Sequence, residues 1–502
     1  MNPIAGKPIG EPIFLDDFDQ FIESGNAIRV DYIELPKIRG KWLLVSGMWG
    51  ARNGELLMSG PESEAGSLVF CPKVTGRHSI FIGHYGRSSP IGGEGVYVRL
   101  GSDPHFTLFS PERMEPSFDE AFFKTVDLDR RSEIEIAHMG THSVLDYIKL
   151  VPVEPPELPD TSGKLIGVCD FICAIDHCKP DGFESACCVR RHQEAGFDMI
   201  LWKAYKVVCE YHTNIGVRRD MGRDYDTLQQ AVEEAKKIGI ELYGWVRINN
   251  EDSNLDGPFG PTTPFHLAHP EMRMARKDGR LRPRLSFAFP EVRQHKVDIV
   301  CEVAAYGTDG ICIDVLRHPP MAEYDLPLVE AFRAKTGEDP REMPGDGTEE
   351  WLRFRADAFT QFLRECRLAL DAQAGRRYPL MVRTMDQVWR NLQAGCEVQA
   401  WVDEELVDAL IFKPHIGTAE YYPQQMDLKP WLEMTGGKVD VHASVWRYGS
   451  MIQAEALAAD LYDQGVDGIA FYETELAIER GSIREQLWRF NRPDALRYRN
   501  AD

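Results

Sequence analysis

The sequence predicts an α/β protein with a (β/α)8 TIM barrel that follows an all-β, jelly-roll-like sandwich. Two observations predict it: short apolar segments alternate with helical patterns after residue 163, whereas period-two alternation dominates residues 1–155. The chain of 502 residues is longer than one compact core usually allows. We therefore predict two domains, a sandwich over residues 1–155 and a barrel over residues 163–502.

The first domain consists of short alternating segments between Gly, Pro and Ser turns, such as WLLVSGMW, SLVFCPKV, HSIFIGHY and EIEIAH. Its last segment, residues 143–152, resembles the closing strand of carbohydrate-binding jelly rolls. The aromatic residues Trp42, Trp49, Tyr85 and Tyr97 have two interpretations. They fill the sandwich core, or, where exposed, they stack on sugar faces.

A proline-rich stretch, PVEPPELPDTSG at 152–163, separates the two predicted domains. Its four prolines cannot continue the interior of a sheet and form a stiff spacer.

Eight apolar segments follow, and each is short enough to be a buried parallel strand. The helical patterns between them, such as 225–239 and 351–373, complete the count of a TIM barrel. An open doubly wound sheet would carry a Gly-rich phosphate loop after its first strand, where this chain has CDFICAIDHCKPDG. The predicted strands are 165–171, 198–205, 240–248, 309–314, 379–384, 408–414, 439–446 and 467–473.

Polar, charged or aromatic residues end nearly every predicted strand, at the face where TIM barrels carry their active sites. Aromatic platforms, hydrogen-bond donors and carboxylates together are typical of a sugar site. The predicted substrate-binding residues are Asp170, Lys203, Tyr205, Trp245, Arg247, Asn249, Arg317, His318, Arg383, Lys413, His415, His442, Trp446 and Glu475. Four cations, Lys203, Arg247, Arg383 and Lys413, in so acidic a protein hint at an anionic or strongly polar substrate.

The segments HPEMRMARKDGR (269–280) and LSFAFPEVRQHKVDIVCEVAAYGTDGICIDVLR (285–317) resemble the family-10-like, hypothetical glycoside hydrolase barrels. The resemblance implies that Asp314, at the end of the fourth strand, is a catalytic carboxylate. The chain departs from related barrels at two places. The usual Glu after the fifth strand is replaced by a segment that runs from Arg383 to Asp386, and the usual Asp on the sixth strand by Lys413-Pro-His415.

Glycoside hydrolysis needs a second carboxyl group that donates a proton. Glu473, at the end of the eighth strand, is the first candidate because partial burial there would raise its pKa. Asp386 is the next candidate, followed by Glu475 and Asp170. Because strands four and eight lie opposite each other in a barrel, the pair Asp314 and Glu473 favours a wide separation and inversion of configuration.

Composition excludes several partners. Asp and Glu exceed Lys and Arg by 79 to 57, so the net charge of −22 disfavours nucleic acid and anionic membranes. No apolar run has the length of a membrane span, and the N-terminus shows no signal-peptide pattern. Eleven cysteines, an odd number without disulfide-framework spacing, favour a reducing compartment, so we expect a cytoplasmic protein.

No cofactor motif is present, and we expect no cofactor. Five cysteines lie close together in the sequence, but without the CxxC pairs of common zinc sites, so we interpret them as buried thiols and predict no metal. They are Cys169, Cys173, Cys178, Cys187 and Cys188.

The predicted function is a metal-independent glycosidase that acts on an oligosaccharide or glycoside. One alternative is a non-catalytic carbohydrate-binding barrel. Another is a metal-assisted hydrolase or deacetylase that uses Asp314 with His415 and His442. The sequence leaves the sugar, the linkage, endo or exo action and homo-oligomerisation open.

Overall fold

The computed structural model describes residues 6–31, 38–60, 63–86, 95–101, 103, 106–109, 116–138, 142–155, 161–170, 185–206, 208–218, 226–249, 263–316, 319–414, 426–445, 451–478 and 486–497. The chain divides into two compact units. The first comprises Met1–Asp160, Phe171–Cys187 and Glu475–Arg489, and the second comprises Thr161–Asp170, Cys188–Thr474 and Phe490–Asp502.

The first unit contains two β-sheets, as expected of a sandwich. The larger sheet has the order β10-β7-β12-β5-β4-β3, with β1 and β2 also paired to β12, and the smaller has the order β6-β11-β8-β9. The strands are β1 (Lys7–Pro8), β2 (Ile13–Leu15), β3 (Ala27–Asp31), β4 (Trp42–Ser46), β5 (Glu55–Ser59), β6 (Leu68–Phe70), β7 (Gly76–Gly86), β8 (Val96–Leu100), β9 (Thr107–Phe109), β10 (Ser117–Leu128), β11 (Ile134–Ala137) and β12 (Ser143–Glu154). A short helix, α1 (Asp19–Glu23), precedes β3.

Alternate residues of both sheets build one apolar core, which explains the period-two pattern of the sequence. Leu57, Ile82 and Ile148 of the larger sheet pack in the same cluster as Val98 and Ile136 of the smaller one. Two of the four aromatic candidates lie in the interior. Trp42 is buried and donates its Nε1–H to the carbonyl of Gly66 over 2.8 Å, and Tyr97 is buried as well.

The second unit contains a closed barrel of eight parallel strands in sequence order, which confirms the predicted TIM barrel. The strands are β13 (Lys164–Cys169), β14 (Met199–Tyr205), β15 (Glu241–Arg247), β18 (Gly310–Asp314), β19 (Leu380–Met385), β20 (Ala409–Lys413), β21 (Asp440–Val445) and β22 (Gly468–Tyr472). A separate hairpin, β16 (Arg273–Ala275) with β17 (Leu281–Leu285), lies between β15 and β18 in the chain.

Helices connect the barrel strands. They are α2 (Ser185–Glu194), α3 (Thr227–Ile238), α4 (Pro264–Ala268), α5 (Pro290–Ala305), α6 (Leu326–Thr336), α7 (Glu349–Ala374), α8 (Val388–Gln393), α9 (Val398–Asp403), α10 (Lys429–Thr435), α11 (Met451–Gln464), α12 (Thr474–Ala477) and α13 (Pro493–Arg497), with 3-10 turns at Pro270–Met272, Pro340–Glu342 and Trp488–Asn491. Local sequence sets their ends. The Thr348 hydroxyl, for example, accepts the Trp351 N–H at the start of α7, and Gly375 takes a left-handed conformation at its end.

The barrel interior positions the candidate site. The inward-facing residues below the carboxyl ends of the barrel strands form an apolar cluster that includes Leu201, Trp245, Cys312, Met381 and Ile411. Because side chains alternate along a strand, the residues two positions further on also face inward at the carboxyl ends. These residues are Lys203, Arg247, Asp314, Arg383 and Lys413.

No helix among the described residues is both long and apolar enough to cross a lipid bilayer.

Candidate active site

Asp314 ends β18 and is surrounded by hydrogen-bond donors. Its Oδ2 lies 2.8 Å from Nη1 of Arg383 and accepts the Trp245 Nε1–H over 3.1 Å, while its Oδ1 accepts the backbone N–H of Leu316 over 2.8 Å. Asp314 and Arg383 are 1% and 2% exposed. A guanidinium and two neutral donors suit an ionised carboxylate, which still has lone pairs for a further donor.

A second carboxylate, Asp170, follows β13 and joins a buried group of cations. Arg247 pairs with its Oδ2, the Tyr472 hydroxyl donates to the same oxygen, and Nζ of Lys203 lies 3.4 Å from Oδ1. Burial raises the pKa of Asp170, but Arg247, Lys203 and the Tyr472 hydroxyl outweigh that effect and hold the pKa at about 2. Asp170 is therefore ionised and unsuited to donate a proton at neutral pH.

Glu210 is a member of this group that the sequence did not predict. Its Oε1 lies 2.9 Å from Nζ of Lys203, and both side chains are buried. Lys203 thus lies between two carboxylates, Asp170 and Glu210.

Two aromatic side chains connect the ion pairs. Trp245 lies under Arg247 at 4.6 Å from the guanidinium carbon to the ring centroid, and it hydrogen-bonds Asp314. Tyr472 contacts Asp170 and Arg247 through its hydroxyl, while Nζ of Lys413 lies 4.5 Å from its ring centroid. Trp245 is fully buried, as is expected of a residue in the wall of the barrel.

The ion pairs change the interpretation of the predicted cations. Lys203, Arg247 and Arg383 each pair with a buried carboxylate of the barrel. Their charges are therefore largely compensated within the protein, and the argument for an anionic substrate from these three residues loses its support.

Asp386 lies just beyond β19 in a different environment. Its backbone N–H donates to the Lys413 carbonyl over 3.0 Å, and its own carbonyl accepts the Trp431 Nε1–H over 2.6 Å, so the backbone is fixed on both sides. The side-chain Oδ1 is buried and has no hydrogen-bond partner among the residues that the structure describes. Burial raises the pKa of Asp386 above its ordinary value, although its own backbone N–H and Arg390 act in the opposite direction.

Glu473 follows Tyr472 at the end of β22 with a left-handed φ of 57°. A non-glycine residue rarely adopts this conformation, and such backbone outliers cluster at active sites. Glu473 is buried, and in the ring of strands β22 lies opposite β18. Glu475 is also buried but falls in the first compact unit.

Three predicted residues lie elsewhere in the second unit. The Tyr205 hydroxyl lies 3.3 Å from Nζ of Lys296 on α5, and Nδ2 of Asn249 donates to the Pro320 carbonyl over 3.0 Å. His442 is buried at the register of Gly468, the first residue of β22, and therefore lies near the amino-terminal end of the barrel. Four other predicted residues lie outside the described part of the chain: Arg317, His318, His415 and Trp446.

Trp389 was not predicted from the sequence. It is the second residue of α8, three positions after Asp386, and it is 56% exposed. An exposed tryptophan is the kind of surface on which a sugar ring stacks. The signal was available, since QVWR follows the strand-end Asp386 directly, but only the exposure distinguishes this residue from a core tryptophan.

Cys169, Cys188 and His192 form a buried cluster whose sulfur and nitrogen atoms all lie within 4.8 Å of one another. Cys169 ends β13, and the other two residues lie on α2. No disulfide bond joins any two of the nine cysteines that the structure describes.

Several solved glycoside hydrolases are distantly similar to the chain. An α-L-fucosidase from Paenibacillus thiaminolyticus is 13% identical with a TM-score of 0.43, over 65% of this chain and 48% of that protein, so the chain spans about half its length. A β-(1,4)-mannanase from Podospora anserina is 12% identical with a TM-score of 0.33, over 96% of both chains. An α-galactosidase from Thermus thermophilus is 13% identical with a TM-score of 0.36, over 89% and 94%.

A search of curated proteins finds no match. Residues 201–426, which run from β14 to beyond β20, match the model of the family described as "Glycosyl hydrolase-like 10". The barrel therefore resembles this glycoside hydrolase-like family, as the segments at 269–280 and 285–317 predicted.

Proposed function

We propose that the barrel is a glycoside hydrolase in which Asp314 and Asp386 form the pair of catalytic carboxyl groups. The observation that carries the proposal is the contrast between them. Asp314 is held by Arg383 and two further donors, whereas Asp386 has a raised pKa and an Oδ1 to which no described residue donates a hydrogen bond. Glycoside hydrolysis needs this combination of an ionised and a protonated carboxyl group.

In this mechanism Asp314 acts as nucleophile or base. Arg383 and Trp245 hold its Oδ2, and the Leu316 N–H holds its Oδ1, so the carboxylate is oriented before a substrate arrives. Its remaining lone pairs would then face either the anomeric carbon or an attacking water. Arg383 is a positioning residue because it acts through Asp314.

Asp386 would donate the proton to the glycosidic oxygen as the bond to the leaving group breaks. Its raised pKa keeps a larger fraction of the group protonated near the working pH than an ordinary aspartate would have. Its fixed backbone supports a constant position of the carboxyl group. Glu473 is the competing proton donor, because it is buried at the strand opposite Asp314 and has a left-handed backbone.

The substrate class that fits is a neutral or polar glycoside. The exposed ring of Trp389 would stack against a sugar, three residues from the proton donor. The reaction needs no metal in this proposal. The metal-assisted alternative has less support, since burial lowers the pKa of His442 to about 3 at the amino-terminal end of the barrel and the Asp314 carboxylate is paired with Arg383.

We also propose that the first unit binds carbohydrate. Trp49 is 97% exposed in the turn between β4 and β5, in contrast to the buried Trp42 and Tyr97. A solitary exposed indole provides a flat apolar face for a sugar ring. The domain boundaries at 155 and 163 and the cytoplasmic location stay predictions.

The test is hydrolysis of a broad panel of aryl glycosides and oligosaccharides by the wild type and by Asp314→Asn, Asp386→Asn and Glu473→Gln. The matched control is Asp440→Asn, a carboxyl variant at the first residue of β21 and so at the opposite end of its strand from the site. Loss in Asp314→Asn with full activity in the control would support the proposal. Sugar binding without turnover on any member of the panel would instead favour the non-catalytic barrel.

The leaving group separates the two candidate donors. A variant that lacks the donor should lose most activity on substrates whose leaving group has a high pKa and least on activated aryl glycosides, which need little protonation. We expect this pattern for Asp386→Asn. The same pattern in Glu473→Gln, with Asp386→Asn unaffected, would transfer the role to Glu473.

A further inference from the structure

The buried cluster of Cys169, Cys188 and His192 lies behind the first barrel strand and not in the candidate active site. Val168 and Ile166 face the barrel interior, so Cys169, one residue further on, faces outward. There it meets α2, which contributes Cys188 and His192 one helical turn apart. Thr474, at the start of α12, completes the group.

One distance in the cluster matches the spacing of ligands in a zinc site. Sγ of Cys169 lies 3.5 Å from Nε2 of His192, and the Thr474 hydroxyl oxygen lies 2.8 Å from the same nitrogen and 3.9 Å from the sulfur. In a tetrahedral zinc site, with bonds of about 2.3 Å to sulfur and about 2.0 Å to nitrogen, the two ligand atoms lie about 3.5 Å apart. The pair of Cys169 and His192 therefore already has the spacing that zinc requires. Sγ of Cys188 lies 3.8 Å from Nδ1 of His192 in a cluster whose ligand atoms are all within 4.8 Å, so it would move closer to the other ligands on binding.

The second nitrogen of His192 has the partner that metal-bound imidazoles usually have. Nδ1 lies 2.8 Å from the backbone carbonyl oxygen of Cys188, so it carries the proton and donates it there. Nε2 is then the acceptor atom, and it faces Cys169 and Thr474. A histidine ligand whose other N–H is bound to a carbonyl is the common arrangement around zinc.

Gly167 provides the close approach that the cluster needs. A Cβ atom at this position would lie 2.8 Å from Cδ2 of His192 and 3.0 Å from the Thr474 hydroxyl oxygen, so a larger residue would push both away from β13. Glycine within a strand is typical of places where other groups come close.

We propose that Cys169, Cys188 and His192 bind one structural zinc ion, with the Thr474 hydroxyl or a water as the fourth ligand. The ligands come from a strand and a helix, which explains why the sequence lacks a CxxC pair, and the proposal revises the expectation of incidental thiols. The ion would connect α2 to β13. Since Cys169 precedes Asp170 and Thr474 follows Glu473, it would also fix the backbone next to two site residues without contacting the substrate.

Cobalt titration of the reduced, metal-free protein tests this directly. We expect one cobalt ion per chain, with the sulfur-to-cobalt charge-transfer band and the visible bands of tetrahedral coordination, and displacement of both by zinc. X-ray absorption of the zinc protein should give two sulfur ligands at about 2.3 Å and the remainder nitrogen or oxygen at about 2.0 Å. Two results on the wild-type protein would each overturn the proposal. One is the absence of a stoichiometric charge-transfer band, and the other is a sulfur count other than two.

Variants identify the ligands. Cys169→Ser and Cys188→Ser should lose the band and the rise in Tm that zinc gives to the wild type. Cys366→Ser, at a buried free thiol within α7, should keep both. A band that persists in Cys169→Ser or Cys188→Ser would contradict the assignment of these ligands. Because the readouts are spectra and Tm, the result does not depend on whether the barrel is a glycosidase.

Discussion

Asp314 and Arg383 are partners in the register of β18 and β19, and their side chains form a 2.8 Å ion pair inside the barrel. The pair is almost completely shielded from water, so each charge depends on the other. A buried pair of this kind contributes little net stability compared with apolar residues, but the loss of one partner leaves an uncompensated charge. The pair therefore orients the Asp314 carboxylate, and in the proposed mechanism that orientation is its function.

Arg383→Met should reduce both stability and turnover. We expect a loss of about 3–5 kcal/mol in the free energy of unfolding, because Asp314 keeps a buried charge without a partner. We also expect kcat/KM to fall about 100-fold, because Asp314 is no longer held. Chemical denaturation and steady-state kinetics measure the two effects.

Arg280→Met, which breaks an exposed pair with Asp278, is the matched control and should change neither quantity appreciably. Arg383→Lys should fall between the wild type and Arg383→Met, because lysine restores the charge but not the fork geometry. Equal turnover in Arg383→Met and the wild type would show that Asp314 needs no orientation by this pair.

Asp386→Asn should lower turnover by about 10²- to 10⁴-fold on substrates with poor leaving groups, the usual contribution of a general acid. In the wild type, the rate should fall as the pH rises through the raised pKa of Asp386, because the donor loses its proton. This alkaline limb should be absent from the residual activity of the variant. A pH–rate profile of kcat/KM that keeps the same limb in Asp386→Asn would assign it to another group.

The same variant should be more stable than the wild type at neutral pH. A carboxyl group whose pKa is raised by burial stabilises the folded state at low pH, and this contribution is lost as the pH rises through the folded pKa. The amide cannot ionise, so its advantage in Tm should be present at pH 7 and shrink towards pH 4. Increased stability together with lost activity is the trade-off expected of a functional residue and not of a structural one.

Trp389→Ala should raise KM and leave kcat nearly unchanged if the ring stacks on the sugar in both the bound and the transition state. Stability should change little because the side chain is 56% exposed. Trp401→Ala is unsuitable as a control because that ring is fully buried, whereas Trp49→Ala is suitable. Trp49→Ala should keep the kinetics on small soluble glycosides and weaken retention on polysaccharide, and a rise in its KM would contradict the separation of the two roles.

Periodicity predicted the barrel because each strand is a continuous apolar run that ends in a polar residue. Alternation then explains why Asp314, Arg383, Arg247 and Lys203 face one another, and this could be predicted from the sequence. Contacts that do not follow from this alternation could not be predicted from the sequence. Glu210 follows β14 by five residues, and a local bridge between Tyr205 and Cys209 brings it back towards Lys203.

His442 shows a second limit of strand-end reasoning. It has the inward alternation of Ser444 but lies one layer lower, because β21 begins at Asp440 and its register with β22 pairs His442 with Gly468. Sequence gives the alternation but not the height of a residue in the barrel. The cluster of Cys169, Cys188 and His192 was not predicted for a related reason, since its members are adjacent only after α2 packs on β13.

Asp170→Asn should destabilise the protein because Arg247 and Lys203 would lose a buried carboxylate. The pKa of about 2 lies below the ordinary value, so the stabilising contribution is complete above the unfolded pKa and is lost only as the pH falls towards 2. The deficit of the variant should therefore be constant from pH 7 to pH 5. The double variant with Arg247→Met should be less unstable than the sum of the two single variants, because it removes the orphaned cation. Strictly additive losses in the free energy of unfolding across this double-mutant cycle would contradict the coupling of Asp170 and Arg247.

His442 should make the barrel sensitive to mild acid. Burial lowers the pKa of its imidazole to about 3, and Nδ1 has no hydrogen-bond partner in the described part of the chain, so the folded protein holds the neutral form down to low pH. The unfolded chain binds a proton near pH 6.5. The unfolded state therefore gains protons that the folded state cannot bind, and stability falls as the pH drops from about 6.5 towards 3.

His442→Asn removes this titration. We expect the variant to show a smaller loss in the free energy of unfolding between pH 7 and pH 4 than the wild type, by chemical denaturation. The comparison at pH 8, where the imidazole is neutral in both states, isolates the cost of altered packing and serves as the internal control. Parallel stability curves for the two proteins over the whole range would mean that the folded barrel takes up the proton at His442.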